Sequence, residues 1–255
     1  MRKLLEKDFI LSKTEFVSFL KCPFQFYLLK ELQKEIDGIK RRDFSNYEQF
    51  LVDGIEKHYW LERFYENYHK EIENNTNPSL KSADRGIIWK EAFLDFEIRR
   101  YRQNPDFWKP IAVEFYLETN NYRGKIDRID KLNKEGHCRI IDYKSYPGEF
   151  DEEELLFYAL LLSKELPHQK LPAITKVAEI GLYYYSIGDF YYAQITTEIV
   201  SQFCDFLEKI RLEMLELNSI KKHLTCDFHS TNCLYREICQ RIHIKHQKKI
   251  GLLKK

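Results

Sequence analysis

The feature that most constrains this chain is a change of hydrophobic period at Pro110. Upstream, apolar residues recur at helical spacing: Phe50, Ile55, Tyr59, Trp60 and Phe64 mark a long helix over 47–68, and a second helix is expected over about 85–102. Downstream the repeat is two residues, over 111–118, 122–131 and 138–144, with turns at Thr119-Asn120-Asn121 and Asn133-Lys134-Glu135-Gly136. These runs predict a consecutive antiparallel meander. A helix over 150–164, strands over 177–187 and 190–196, and a closing helix over 198–217 complete the pattern. Near the start, Ser12 and Glu15 have capping-box spacing, and Pro23 ends the helix they open, which leaves Cys22 at a bend. The elements predict a single α/β domain over 1–255, a mixed five-strand sheet flanked by helices.

Charge narrows the choice of partners. Forty-one Lys and Arg stand against 40 Asp and Glu, so bulk charge does not identify a nucleic-acid binder. The last 35 residues are different, with nine Lys/Arg and two Asp/Glu, a footprint for phosphates or a solvated basic tail. No apolar run is long enough to cross a bilayer, and the first residues lead into no secretory segment. A cytoplasmic protein with no membrane partner is expected.

The densest chemistry lies in 124-GKIDRID-130 and 140-IIDYKS-145. Asp142 and Lys144 are two apart on one strand and therefore share a face, while Tyr143 points away. Asp127 lies on the neighbouring strand, where the short turn brings it towards Asp142. Two buried carboxylates repel unless a proton or a cation joins them. Mg²⁺ or Mn²⁺ would resolve that conflict, with the Tyr143 carbonyl as a neutral ligand and Lys144 beside the attacking water and the phosphate. Spacing alone favours ordinary solvent-exposed ion pairs over such a site. Asp130 has the wrong parity to join the pair, and Glu114 is expected to support the site or to form a surface salt bridge.

Six cysteines are too few for a disulfide scaffold, yet Cys226, Cys233 and Cys239 fall within fourteen residues. Metal ligation and ordinary thiols are both open on that count. Cys138 and Cys204, on a strand and an apolar-rich helix, are expected to pack.

The runs 124-GKIDRID-130 and 142-DYK-144, with 54-GIEKH-58 and 22-CPFQFYL-28, resemble the PD-(D/E)XK nuclease superfamily, specifically its RecB-like group, which includes the CRISPR-associated iron–sulfur exonucleases. The resemblance implies a restriction-endonuclease-like fold and a divalent-metal-dependent deoxyribonuclease that leaves a 3′-hydroxyl and a 5′-phosphate. It assigns His58, Asp127, Asp142 and Lys144 to catalysis, and His58, Asp127, Asp142 and Tyr143 to Mg²⁺ or Mn²⁺. The family's QxxxY helix is matched by 154-ELLFY-158, so Glu154 and Tyr158 would support the site or position DNA, with Glu154 an acceptor where glutamine also donates. It also assigns Cys22, Cys226, Cys233 and Cys239 to a [4Fe-4S] cluster, which would join segments 12–30 and 221–240 ahead of the basic tail 241–255. Zinc with His223 or His229 is the other reading of that cysteine group.

By the same resemblance the substrate is DNA, preferentially single-stranded or frayed ends cut exonucleolytically, in CRISPR spacer acquisition with integration proteins. A repair or recombination nuclease and a non-catalytic DNA-binding adaptor are the alternatives. No GxxxxGK[ST] motif is present, so unwinding needs a helicase partner.

Overall fold

The computed structural model describes residues 9–23, 26, 45–74, 77–149, 151–165, 171 and 174–219. Its elements, in chain order, are β1 (Leu11–Ser12), α1 (Lys13–Lys21), α2 (Ser45–Glu62), α3 (Phe64–Asn74), α4 (Ile88–Gln103), β2 (Pro110–Glu118), β3 (Tyr122–Lys131), β4 (His137–Lys144), α5 (Asp151–Glu165), β5 (Lys176–Tyr184), β6 (Asp189–Gln194) and α6 (Thr197–Ser219). Cys226, Cys233 and Cys239, the alternative ligands His223 and His229, and the basic tail lie outside the described residues.

The sheet is organised around β3. One edge of β3 pairs with β2 along its length, from Pro110↔Asp130 to Glu118↔Arg123. The other edge is shared: β1 pairs in parallel at Tyr122 and Arg123, while β4 pairs antiparallel at Arg128–Lys131. Parallel β5 and antiparallel β6 continue the sheet beyond β4. The described sheet thus has six strands where the sequence predicts five. The extra strand is two residues long, too short for any period to register, and it merges into the capping box of α1. There the Glu15 N–H donates to Ser12 Oγ (3.2 Å) and the Ser12 N–H to Glu15 Oε2 (2.9 Å).

Helices cover both faces. On one side α1, α5 and α6 pack against the sheet through Phe16, Phe157, Phe203, Leu207 and Ile140, with Phe16 and Phe157 stacked at 5.7 Å. Each such side chain contributes roughly 1.5–3 kcal/mol on burial. On the other side α2, α3 and α4 bury Leu61, Phe64, Phe93 and Phe96 against Ile141, Tyr143 and Tyr183. Cys138 is fully buried, as expected of a packing residue. The helix expected over 47–68 is two helices separated at Arg63. Main-chain bonds still cross that residue (Asn67 N–H to Arg63 O, 3.1 Å), but the Asn67 side-chain amide takes the same carbonyl at 3.0 Å and competes for it.

Candidate active site

β3 and β4 stop pairing at Arg128↔Ile141, and the next residue of each strand is a carboxylate, Asp127 and Asp142. With no ladder partner, the Tyr143 N–H donates instead to Asp127 Oδ2 at 2.8 Å. A strand residue's N–H and C=O lie on the same edge, so the Tyr143 carbonyl also faces this opening. Its ring joins the opposite core, in line with its parity.

From α2, His58 reaches the same opening, with Nδ1 3.6 Å from Asp127 Oδ2 and 3.9 Å from Glu114 Oε1. Glu114 lies on β2 across from Asp127, between the pairs Val113↔Arg128 and Phe115↔Ile126. Its backbone adopts φ 50°, a conformation rare for a residue with a side chain. Ligand atoms of His58, Glu114 and Asp127 all lie within 4.8 Å of one another, while the carboxylate of Asp142 lies outside that group and is paired with Lys144 Nζ at 2.9 Å. Glu114 also pairs with Lys125, so it forms both contacts that the sequence offered as alternatives.

Lys144 is held between two acids, Asp142 and Glu154, and Glu154 in turn accepts from Lys13 of α1 at 2.7 Å. Lys13 was not legible as part of this arrangement, because nothing in a nine-residue helix 141 positions away signals the contact. Tyr158 is buried, and its ring packs over Gly124, where a Cβ would come within 3.0 Å of Tyr158 Cε1. That close approach is why the strand carries glycine there. The burial leaves Tyr158 no open face for a base.

The electrostatics follow from crowding. Burial and the charge of Asp142 push the Asp127 carboxyl up to about 7, against the pull of His58 and the Tyr143 N–H. Burial opposes charge on His58, but Glu114, Asp127 and Asp142 outweigh it and raise its pKa. Burial likewise opposes the Lys144 ammonium, and Asp142 and Glu154 reverse that, so the side chain stays a cation. Asp142 Oδ2 is buried, and its ion pair with Lys144 Nζ is the contact that offsets its charge. The imidazole of His58 and the carboxylates of Glu114 and Asp127 form a donor set that suits a hard divalent cation.

Asp130 belongs elsewhere. Together with Arg128 (2.7 Å), Glu97 and Arg100 it forms a buried network beneath β3, in which Arg128 Nη1 donates to Glu97 Oε1 (2.7 Å) and Trp108 Nε1 donates to Glu97 Oε2 (2.8 Å). Arg128 also reaches the Tyr143 hydroxyl at 3.3 Å. The second half of the 124-GKIDRID-130 run therefore anchors the strand whose first half opens the site. Cys22 caps the C-terminal end of α1, where its N–H donates to Ser18 O (3.0 Å).

A mixed sheet with helices on both faces, and with carboxylates and a lysine where its central strands part, defines the restriction-endonuclease-like class of α/β protein. Residues 10–240 match the PD-(D/E)XK nuclease superfamily, and the chain belongs to that superfamily. It is also similar to an ATP-dependent helicase/deoxyribonuclease subunit of Clostridium perfringens (strain SM101 / Type A), 26% identical over 269 residues that cover 83% of this chain and 22% of the relative. The subunit of the same name from Clostridium botulinum (strain Loch Maree / Type A3) is 24% identical over 202 residues, 64% of this chain and 18% of the relative. The chain thus spans about a fifth of the length of these relatives.

Proposed function

We propose that the chain is a divalent-metal-dependent deoxyribonuclease that hydrolyses phosphodiester bonds at single-stranded DNA ends. The observation that carries this reading is the grouping of His58, Glu114 and Asp127 beside a lysine cation held by Asp142 and Glu154. His58, Glu114 and Asp127, with Asp142 and the Tyr143 carbonyl at the rim, would hold Mg²⁺ or Mn²⁺. When bound, such an ion polarises a phosphoryl oxygen and lowers the pKa of a water.

The chain's own groups do the rest. Lys144, charged and half-buried, donates to a phosphate oxygen and neutralises the negative charge that grows there as water attacks. Because it stays protonated it serves as an electrostatic partner and leaves proton abstraction to other groups. Glu154 and Lys13 fix the lysine's position. Asp127 is held for its task by the Tyr143 N–H.

The relatives' name, a helicase/deoxyribonuclease subunit, supports DNA hydrolysis alongside a helicase. The CRISPR setting with integration proteins, and a [4Fe-4S] cluster on Cys22, Cys226, Cys233 and Cys239, rest on the resemblance of the chain ends alone. Iron and sulfide content of anaerobically purified protein tests the cluster, and stoichiometric zinc without iron would replace it.

The decisive experiment compares end-labelled linear single strands with closed circular single strands under Mg²⁺ and Mn²⁺ titration. Digestion of the linear strand alone, lost in Lys144→Ala, is the expected result. Binding of DNA without cleavage under either ion overturns the reading and leaves a binding adaptor.

A further inference from the structure

Beside the α2 face that carries His58 lies a cavity of about 520 Å³ whose floor is aromatic. Its size falls in the range of about 300–1,000 Å³ typical of small-ligand sites. Trp60 and Trp89 meet there edge to face, with centroids 5.0 Å apart and planes at 81°. One ring is a platform and the other a wall. Tyr59, more than half exposed, forms the rim.

Cations surround these rings. Lys90 Nζ lies 5.2 Å from the Trp60 ring and 5.5 Å from the Trp89 ring, and is neutralised by Asp84 at 2.6 Å. It fixes the tryptophan corner. Lys57 and Arg63 also line the cavity, against one acid, Glu56. Arg63 pairs with Glu66 at 3.4 Å, but both side chains are substantially exposed, so the pairing competes weakly with an incoming phosphate.

One buried side chain links the cavity's lining to the candidate active site. Tyr185 packs against His58 (6.5 Å between centroids) on one side and Trp89 (6.1 Å) on the other, with Lys57 Nζ 5.2 Å from its ring. A strand whose phosphate sits at His58 and Asp127 therefore has an aromatic, basic recess within reach of its neighbouring nucleotides.

We propose that this recess is a nucleotide subsite for single-stranded DNA, in which an unpaired base stacks on the Trp60/Trp89 corner while Lys57 and Arg63 meet the adjoining phosphates. The inference rests on the nuclease reading for the direction of the strand, and its chemistry is that of sequence-tolerant stacking platforms. A paired base cannot enter, because its ring faces are already stacked and its edge is occupied. The subsite thereby selects unpaired ends.

The test uses the full chain in EDTA, where cleavage cannot interfere, with a short oligothymidylate as probe. The chain has three tryptophans, and the third, Trp108, is almost wholly buried and out of reach of a stacking base, so quenching of the intrinsic fluorescence reports the corner. Oligothymidylate is expected to quench it. Trp89→Ala should weaken binding about tenfold, and Lys57→Gln and Arg63→Gln should each flatten the dependence of log affinity on log salt by about 0.7. Trp89→Phe, which keeps the packing, guards against misfolding of the alanine variant and should fall between the two.

Wild-type affinity and salt slope in all these variants would overturn the subsite, as would a blunt duplex that quenches as strongly as the oligothymidylate. The two readings separate cleanly. Quenching and tight binding without cleavage in Mg²⁺ or Mn²⁺ sink the nuclease and leave the subsite, whereas cleavage with variant affinities unchanged does the reverse.

Discussion

The Tyr143 backbone N–H donates to Asp127 Oδ2 at 2.8 Å, at the point where β3 and β4 cease to pair. A main-chain donor that would otherwise be orphaned by the parting strands is satisfied by the carboxylate that the parting exposes. The site is a consequence of the sheet's geometry, and the two cannot be varied independently.

That coupling sets the first prediction. Asp127 is buried beside Asp142 and its carboxyl is raised to about 7, so in metal-free protein above neutrality its charge opposes folding. Asp127→Asn keeps an oxygen to accept from Tyr143 and removes the charge. Thermal melts in EDTA should show the variant more stable by about 1 kcal/mol, roughly 2–4 °C, while nuclease activity falls by about two orders of magnitude or more. A destabilised variant would mean that the buried charge is compensated.

Lys144 has two roles that substitution can separate. Lys144→Ala should lower turnover by about 10²–10³ and also destabilise by about 1–3 kcal/mol, because Asp142 and Glu154 lose their shared cation. Adding Glu154→Gln relieves one of those charges. The double variant should regain most of the melting temperature and none of the activity, measured by initial rates and calorimetry on the same preparations.

Glu114 faces His58 and Asp127 from a backbone conformation that side chains rarely adopt, and such strain persists where the surroundings enforce it. Glu114→Gln should weaken Mn²⁺ binding at least about tenfold by titration calorimetry, with little change in melting temperature in EDTA. Unchanged affinity would place Glu114 outside the ion's reach and give its place to Asp142.

Periodicity made much of this fold legible. The β2–β3–β4 meander follows the alternation of apolar residues except at Asp127, on either side of which Ile126 and Ile129 enter the same core, and parity separates Asp130 from Asp142 and Lys144. Contacts that link distant segments left no periodic trace. The parallel pairing of Leu11–Ser12 with Tyr122–Arg123 depends on a main-chain ladder, which no side-chain pattern encodes. Lys13 reaches Glu154, and Glu114 turns to His58, through tertiary placement and an unusual φ. The exposure of the Trp60/Trp89 corner was equally hidden, since an aromatic at helical spacing reads as core.

The Arg128 network gives a stability prediction independent of catalysis. Arg128 is fully buried, with Glu97 and Asp130 as its counter-charges. Arg128→Leu leaves both acids sharing Arg100 alone and should cost about 3–5 kcal/mol in urea unfolding. A loss below about 1 kcal/mol would show that the acids take up protons in its place.

The last prediction concerns metal and pH together, and its sign follows from which form binds. A carboxyl whose folded pKa is about 7, against an ordinary value of 3.8, favours the folded state when protonated. Its contribution to metal-free stability is therefore present below about pH 4 and is lost as pH rises towards 7. His58, with its pKa raised, runs in the same direction: its contribution is present at low pH and is lost as pH rises through the folded value. Metal-free protein should accordingly lose stability across that window as far as these two groups decide it. A divalent ion needs both groups deprotonated and supplies the positive charge that the protons had provided. The rise in melting temperature on adding saturating Mn²⁺ should thus be several degrees at about pH 8 and should shrink towards zero near pH 5.5. Asp127→Asn should abolish both the rise and its pH dependence, and an equal rise at both pH values would show that Mn²⁺ binds at groups other than Asp127 and His58.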